Sequence, residues 1–252
     1  MKRYDFHIHT EFSYDSRIKG VELLQKAIDL QYDEIAITEH LDLLPQELSI
    51  YGLPSLSRYC AYIAKLQRDF PAITLHCGIE IGDYHLVKEF AKPLIESFEL
   101  FPILGSVHFL KDHTNVAILL SSPLTKAQVI DYYENNLRLV SECDIDVLAH
   151  LGVYKRYYTE AAPEDCVLPL ITEIFRVMIQ RNIALELNFS SLRKAYQSVI
   201  PEPQYIDLYR SLGGNLFSLG SDAHRIDHFG ITRLAESLIG EHDTPIKRVV
   251  TK

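Results

Sequence analysis

Short apolar runs alternate along this chain with longer segments whose apolar residues recur every three or four positions. The runs Tyr4–Ile8, Glu34–Thr38, Ile73–Ile79, Phe101–Val107, Asp146–Ala149, Ile183–Leu187 and Leu216–Leu219 have the length and composition of buried strands. Between them, Gly20–Gln31 reads GVELLQKAIDLQ, and Pro54–Phe70 carries Leu56, Tyr59, Ile63 and Leu66 along one side, the spacing of an amphipathic helix. Thr125–Val140, Pro163–Gln180 and Pro203–Leu212 repeat that spacing, with Pro163 and Pro203 where a proline suits a helix start. Strands that alternate with helices need crossover connections, which gives an α/β fold with parallel strands, either doubly wound or closed into a barrel. Seven such units in 252 residues suit a (β/α) barrel one unit short of eight. No linker or low-complexity tract divides the chain, so residues 1–252 are expected to form a single domain.

Composition narrows the partners. The chain is 47% hydrophobic and 23% charged, as an ordinary globular protein is. A net charge of −9 argues against a nucleic-acid surface, which needs clustered Lys and Arg to displace counterions. No apolar run approaches the roughly 20 residues needed to cross a bilayer. The first residues lead straight into a strand without a signal-peptide pattern, so the cytoplasm is the expected location. Cys60, Cys77, Cys143 and Cys166 form no C-x-x-C pair and read as reduced, mostly buried thiols.

The candidate chemistry lies where the strands end. In the opening stretch RYDFHIHTEFSYDS, strand alternation puts His7 and His9 on one face with Asp5, while Tyr4, Phe6 and Ile8 take the other. The second strand runs into Glu39 and His40, the third into Glu80, the fourth into His108 and the fifth into His150. The sixth carries Glu186 and Asn188, and the seventh leads into Asp222 and His224. In a parallel barrel these carboxyl ends converge on one mouth. Six of the 11 histidines fall there; His76, His85, His113, His228 and His242 are left as structural or surface groups. Imidazoles and carboxylates gathered without a cation are hard to keep desolvated, and divalent ions supply the missing positive charge. Nitrogen and oxygen donors without thiolate suit Zn, Mn or Fe, and donors this numerous imply two or three ions.

HIHTEFSYDS, ITEH, GIE, GSVHF, AHLGVYKR, LELNFSSLRK and GSDAHR occur here in the order seen in the polymerase-and-histidinol-phosphatase (PHP) superfamily, which the chain resembles from residue 4 to about 230. The resemblance is strongest to the stand-alone histidinol-phosphate phosphatases of histidine biosynthesis, through AHLGVYKR and ELNFSSLRK. It implies a distorted, TIM-like seven-stranded (β/α) barrel holding a trinuclear metal cluster. By motif, His7, His9, Glu80 and Asp222 should hold one ion; Glu80 should bridge to a second, held also by His108 and His150; Asp15, His40 and His224 should hold the third. Relatives in the wider superfamily often have histidine in place of Asp15, which implies a weaker third site or one that prefers a harder metal. Glu80, Asp222 and His224 are the expected catalytic groups.

Three dications against Asp15, Glu80 and Asp222 leave the mouth cationic, which favours a dianionic phosphate monoester. The expected reaction is hydrolysis of L-histidinol phosphate to L-histidinol and inorganic phosphate, by in-line attack of a metal-bridging hydroxide. Arg156, Arg193 and Arg17 are the candidate forked phosphate donors, Asp42 and Asp83 the candidates for the substrate amine, and Asn188 and Ser190 candidate orienting groups. Tyr14, Tyr84, Tyr154, Tyr157 and Tyr158 are expected near the mouth, one or two of them able to stack on the imidazole. Another small phosphomonoester or a nucleotide is an alternative substrate. An amidohydrolase-type enzyme would place a carboxylated lysine where GSVHF supplies His108, and a non-catalytic scaffold would have shed ligands where this chain keeps nine. The sequence leaves the oligomeric state open.

Overall fold

All seven apolar runs form strands at the places their spacing predicts, with shifted ends. In the computed structural model, which describes residues 2–160 and 164–247, the strands are β1 (Tyr4–Asp5), β2 (Glu34–Asp42), β3 (Thr74–Gly82), β4 (Ile103–Ser106), β5 (Val147–Leu148), β6 (Ala184–Asn188), β7 (Leu216–Gly220) and β8 (Thr244–Pro245). They pair in sequence order and every pair is parallel. The sheet curls until its ends meet. The N–H of Phe6 donates to the Leu219 carbonyl at 2.8 Å, that of Asp222 to His7 at 2.9 Å and that of His9 to Ala223 at 3.0 Å. The segment after β1 is thereby stitched to the end of β7. The seven-stranded expectation holds for this ring; β8 is an eighth strand, added at the start of β7, and two residues are too few to leave a periodic signal.

Two strands run further than the apolar pattern suggests. Strand β2 continues through Glu39 and His40 to Asp42, and β3 through Glu80 to Gly82, paired residue by residue. The polar end groups are therefore held by ladder hydrogen bonds, not displayed on free loops.

The helices are α1 (Gly20–Asp29), α2 (Pro45–Tyr51), α3 (Leu56–Asp69), α4 (Tyr84–Ile95), α5 (Lys126–Glu142), α6 (Leu168–Arg181) and α7 (Pro203–Ser211). Thr125 and Gln128 form a reciprocal capping box at the start of α5. The helix expected from Pro163 begins instead at Leu168, with Pro169 in its first turn and a 3-10 turn, Asp165–Val167, ahead of it. Pro163 itself lies outside the described residues. Helix α2 is too short to show periodicity and went unpredicted. Among the described residues no helix is long and apolar enough to cross a membrane.

Two apolar clusters hold the ring. A smaller one packs Leu23 and Leu24 of α1 and Ile63 and Leu66 of α3 against Ile35 and Ile37 of β2. The larger joins Phe6, just after β1, and Leu104, Val147, Leu185 and Phe217 of the strands to residues of α4 to α7. Each buried Leu, Ile or Phe removes enough apolar surface from water to stabilise the fold by ~1.5–3 kcal/mol.

Candidate metal centre

Glu80 stands at the middle of the mouth. Its two oxygens lie 2.8 Å from His150 Nε2, 3.0 Å from His40 Nδ1, 3.4 Å from His7 Nε2, 3.5 Å from His9 Nε2 and 3.6 Å from His108 Nε2. Asp222 Oδ1 lies 3.4 Å from His224 Nδ1 and 3.7 Å from His9 Nε2. Asp15 reaches His224 Nε2 at 3.2 Å and His40 Nε2 at 3.6 Å. All nine expected ligands thus converge from loops and strands far apart in the chain. Their ligand atoms form three overlapping triads: His7–Glu80–His150, His7–His9–Asp222 and His9–His40–His224. His9 therefore stands with His40 and His224 as well as with His7. His108 and Asp15 belong to none of the triads but touch them through Glu80 and through His40 and His224.

The donor set fits divalent ions. His7 Nε2 faces His9 Nε2 at 3.1 Å, and His40 Nε2 faces His224 Nε2 at 3.4 Å. Ring nitrogens set against one another with carboxylates beside them, Glu80 and Asp222 buried and Asp15 exposed, and no thiolate nearby, are an arrangement that a borderline dication satisfies. Burial alone would push the Glu80 carboxyl up, but His7 and His40 together with His108 and His150 hold it well below the usual range. Burial, with His40, His224 and His7 close by, pushes His9 well below the ordinary imidazole value, so it offers a neutral lone pair.

Behind these groups lies a bracing layer. His7 Nδ1 lies 2.6 Å from Glu186 Oε1, which keeps the proton on that nitrogen and leaves Nε2 facing the cluster. The other Glu186 oxygen accepts from the His150 backbone N–H and, at 3.2 Å, from Asn188 Nδ2. Glu39 accepts from the Thr10 N–H and from the Thr10 and Ser13 hydroxyls, so it fixes the loop after β1 and is not aimed at the cluster. The backbone itself is tight. A Cβ on Gly220 would lie 1.9 Å from Glu186 Oε1 and 2.7 Å from the His7 Cβ, so only glycine lets β7 approach there. His150 (φ 28°) and Asp222 (φ 52°) occupy the left-handed region that disfavours residues with a Cβ, at a cost of ~1–3 kcal/mol each. Replacing Glu186 by Gln is expected to weaken metal retention about 10- to 100-fold by freeing the His7 ring. Chelator-competition titration measures this, and a wild-type affinity would show that Glu186 only packs.

The cluster opens into a cleft of about 630 Å³ lined by Tyr14, Glu47, Asn115, Arg156 and Tyr157 among others. A second hollow, of about 560 Å³, adds Ser190, Arg193, Lys194 and His228 and shares Asp15, Arg156, Tyr157, Asp222 and His224. His228, set aside as a remainder in the sequence, thus sits on the rim, carried there by the 3-10 turn Ile226–His228. Arg156 Nη1 lies 3.2 Å from Asp222 Oδ2. Arg193 Nη2 donates to the Ser221 and Asp222 carbonyls, and its Nε and Nη1, like Arg156 Nε, are buried without a hydrogen-bond partner.

Other expected substrate contacts fall elsewhere. Arg17 is exposed and lines neither hollow. Asn188 is fully buried, tied to Glu186 and Ser190. Asp42 receives the Tyr14 hydroxyl at 3.3 Å and lies 3.7 Å from His40 Nδ1, so it stands behind a ligand. Asp83 accepts the backbone N–H groups of His108 and Phe109. Of the five tyrosines, Tyr14 and Tyr157 line the cleft. Tyr84 is buried at the start of α4, and Tyr158 donates to the carbonyls of Leu120 and Ser122. Tyr154 is buried beside Lys155, a residue whose role the sequence hid. Lys155 is 1% exposed, with Nζ 2.7 Å from Glu164 Oε2 and 2.8 Å from Glu202 Oε1. The hydroxyls of Tyr133, Tyr154 and Tyr205 close around Glu164, and that of Tyr196 around Glu202. This knot anchors the short turn that delivers Arg156, the next residue, to the cleft.

Comparison with known proteins gives the family and the backbone similarity of the chain. Residues 5–190 match the PHP domain family. A probable histidinol-phosphatase of Clostridium acetobutylicum is 30% identical over 244 residues, covering 90% of this chain and 89% of that protein. A histidinol-phosphatase of Lactococcus lactis is 27% identical, over 89% of this chain and 85% of its own length. In backbone, the chain is similar to the crystal structure of the Lactococcus lactis histidinol phosphate phosphatase complexed with zinc, L-histidinol and phosphate, with a TM-score of 0.79 and 24% identity over 97% of this chain and 95% of that one.

Proposed function

The chain belongs to the PHP-domain family, and from that premise we propose that it is a metal-dependent phosphomonoesterase that hydrolyses L-histidinol phosphate to L-histidinol and inorganic phosphate in the cytoplasm. One juxtaposition carries this reading: a largely buried cluster of imidazoles and carboxylates opens beside two arginines whose buried N–H groups lack partners. The first is a site for dications and the second a site for an oxyanion, which together describe a phosphate ester. The names of the relatives, and the zinc, L-histidinol and phosphate held by one of them, supply the rest of the substrate.

Two or three Zn, Mn or Fe ions, held by His7, His9, Asp15, His40, Glu80, His108, His150, Asp222 and His224, would neutralise the phosphoryl oxygens and make water acidic enough for in-line displacement at phosphorus. The protein's own groups do the positioning. Arg193, fixed by two backbone carbonyls at the second hollow, keeps Nε and Nη1 free of protein partners and so available to an anion. Arg156 is steered by Asp222 and by the Ala117 carbonyl. Glu186 and Glu39 keep the His7 ring and the following loop in place before substrate arrives, which removes reorganisation from the reaction.

Protein purified without chelator is expected to contain more than one ion per chain by elemental analysis and to release phosphate from L-histidinol phosphate far faster than from sugar phosphates or nucleotides. Chelator should abolish that release, and Zn²⁺ or Mn²⁺ should restore it. Equal rates on all esters would remove the biosynthetic substrate; a metal-replete protein that releases none would remove the phosphatase.

A further inference from the structure

The substrate proposed above carries a cation as well as a phosphate, and neither of the two carboxylates that the sequence offered for that cation lines the cleft. Asp83 is bound by two backbone N–H groups, at 3.1 and 3.2 Å. Asp42 accepts the Tyr14 hydroxyl on Oδ2, and its Oδ1 is buried without a hydrogen-bond partner behind the ligands, with the carboxylate within 3.9 Å of both His40 and His108. Building on that proposed function, we propose that Glu47 is the specificity-determining residue: its carboxylate receives the ammonium group of an amino-alcohol phosphate while the phosphate lies toward the arginines and the metal ligands.

Glu47 sits in the first turn of α2 and lines the same cleft as Glu80, Arg156 and Asp222. It is only 6% exposed, and its Oε2 is buried with no hydrogen-bond partner. A carboxylate oxygen in that position loses its water and gains nothing in exchange, a penalty that protein structures normally avoid. Burial, then the neighbouring Asp42, pushes its carboxyl up to about 8, as befits an acid lacking a counter-charge. It belongs to none of the three ligand triads. Every other acidic group lining the cleft lies within 4 Å of a histidine of the cluster: Asp15, Glu80 and Asp222. Among the described residues lining the cleft, Glu47 is therefore the one acid left for a ligand. An ammonium donor supplies what it lacks and would be rejected by the arginine side of the same cleft, so one carboxylate fixes both the choice and the orientation of the substrate.

The test compares wild type with Glu47→Gln, which keeps the shape of the side chain and removes the charge. Steady-state kinetics are measured on L-histidinol phosphate and on the same imidazolyl-alkyl phosphate lacking the amine. Loss of a buried charged hydrogen bond corresponds to a change of about 10- to 100-fold. The variant's KM for the amino ester is expected to rise by that factor, with kcat changing far less, so that the preference of kcat/KM for the amino ester over the amine-free one collapses. Glu47→Asp should recover part of it. A preference that survives in Glu47→Gln overturns the assignment. Binding of L-histidinol to the metal-loaded proteins, followed by calorimetry, gives a readout independent of turnover: weaker binding by Glu47→Gln upholds the assignment, and equal binding overturns it. If wild type hydrolyses neither ester, the phosphatase reading falls, and the calorimetric comparison still decides Glu47.

Discussion

Replacing Glu80 by Ala is expected to lower phosphate release at least about 10³-fold and to strip the protein of most of its metal. The carboxylate lies within 3.6 Å of five imidazoles, and it is the only acid in the cluster that His108 and His150 touch. Without it, five buried ring nitrogens face one another with no negative charge at the centre. Cations would then have to enter a site already crowded by mutually repelling groups. Glu80→Gln keeps the volume and isolates the charge, and should lose nearly as much. Elemental analysis and phosphate release from the same preparation provide the check. A Glu80→Ala protein that keeps its full metal content and a tenth of its activity would show that Glu80 is not the hub of the site.

The largest effect on stability is expected away from the cluster, in Lys155→Met. Taking one partner from a buried ion pair strands the others, and such losses cost about 3–5 kcal/mol. Here the stranded groups are two glutamates, 8% and 12% exposed. For a chain of this size the loss corresponds to a fall in Tm of about 10 °C. The sign of its pH dependence follows from Glu164. Burial is the largest single influence on that carboxyl and raises it, but Lys155 and the tyrosine hydroxyls together hold it below its ordinary value. A depressed carboxyl contributes stability above its unfolded pKa and loses it as pH falls through the folded one. In Lys155→Met that contribution is gone and the buried acid prefers its neutral form. The gap between variant and wild type should therefore be wide at pH 7.5 and narrow toward pH 4.5. Thermal unfolding at the two pH values measures it, and a gap independent of pH would assign the loss to packing. Activity should fall as well, because Arg156 depends on the same turn.

The parts of this protein that could be read from sequence are those that obey a period. Strands at regular intervals, with His or an acid at each carboxyl end, point to the mouth and to eight members of the cluster; the ninth, Asp15, lies in the loop after the first strand and is implied only by the resemblance to the PHP superfamily. What escaped obeys no period. Strand β8 has two residues, α2 has seven, and β2 and β3 run on through polar residues because ladder hydrogen bonds, not hydrophobicity, hold those ends. The roles of acids were less legible than those of histidines. Glu186, Asp42 and Asp83 all sit beside the mouth in sequence, yet each is claimed by a backbone N–H, a ring nitrogen or a hydroxyl that only the folded chain brings near. Arg17 follows the first strand as Arg156 follows the fifth, but its side chain turns to solvent. Glu47, in LPQELSIY, falls in a stretch where the sequence predicts no element; nothing in the string reveals that α2 tucks it into the cleft.

The left-handed backbone at His150 and Asp222 sets heat tolerance against chemistry. A population selected only for surviving high temperature would drift toward glycine at both places, since it rests there at lower cost. A lineage that still has to turn over its ester keeps an imidazole and an acid there in spite of the backbone cost. A descendant that has given up the reaction should therefore betray the change first at these two positions, while its apolar interior still looks ancestral.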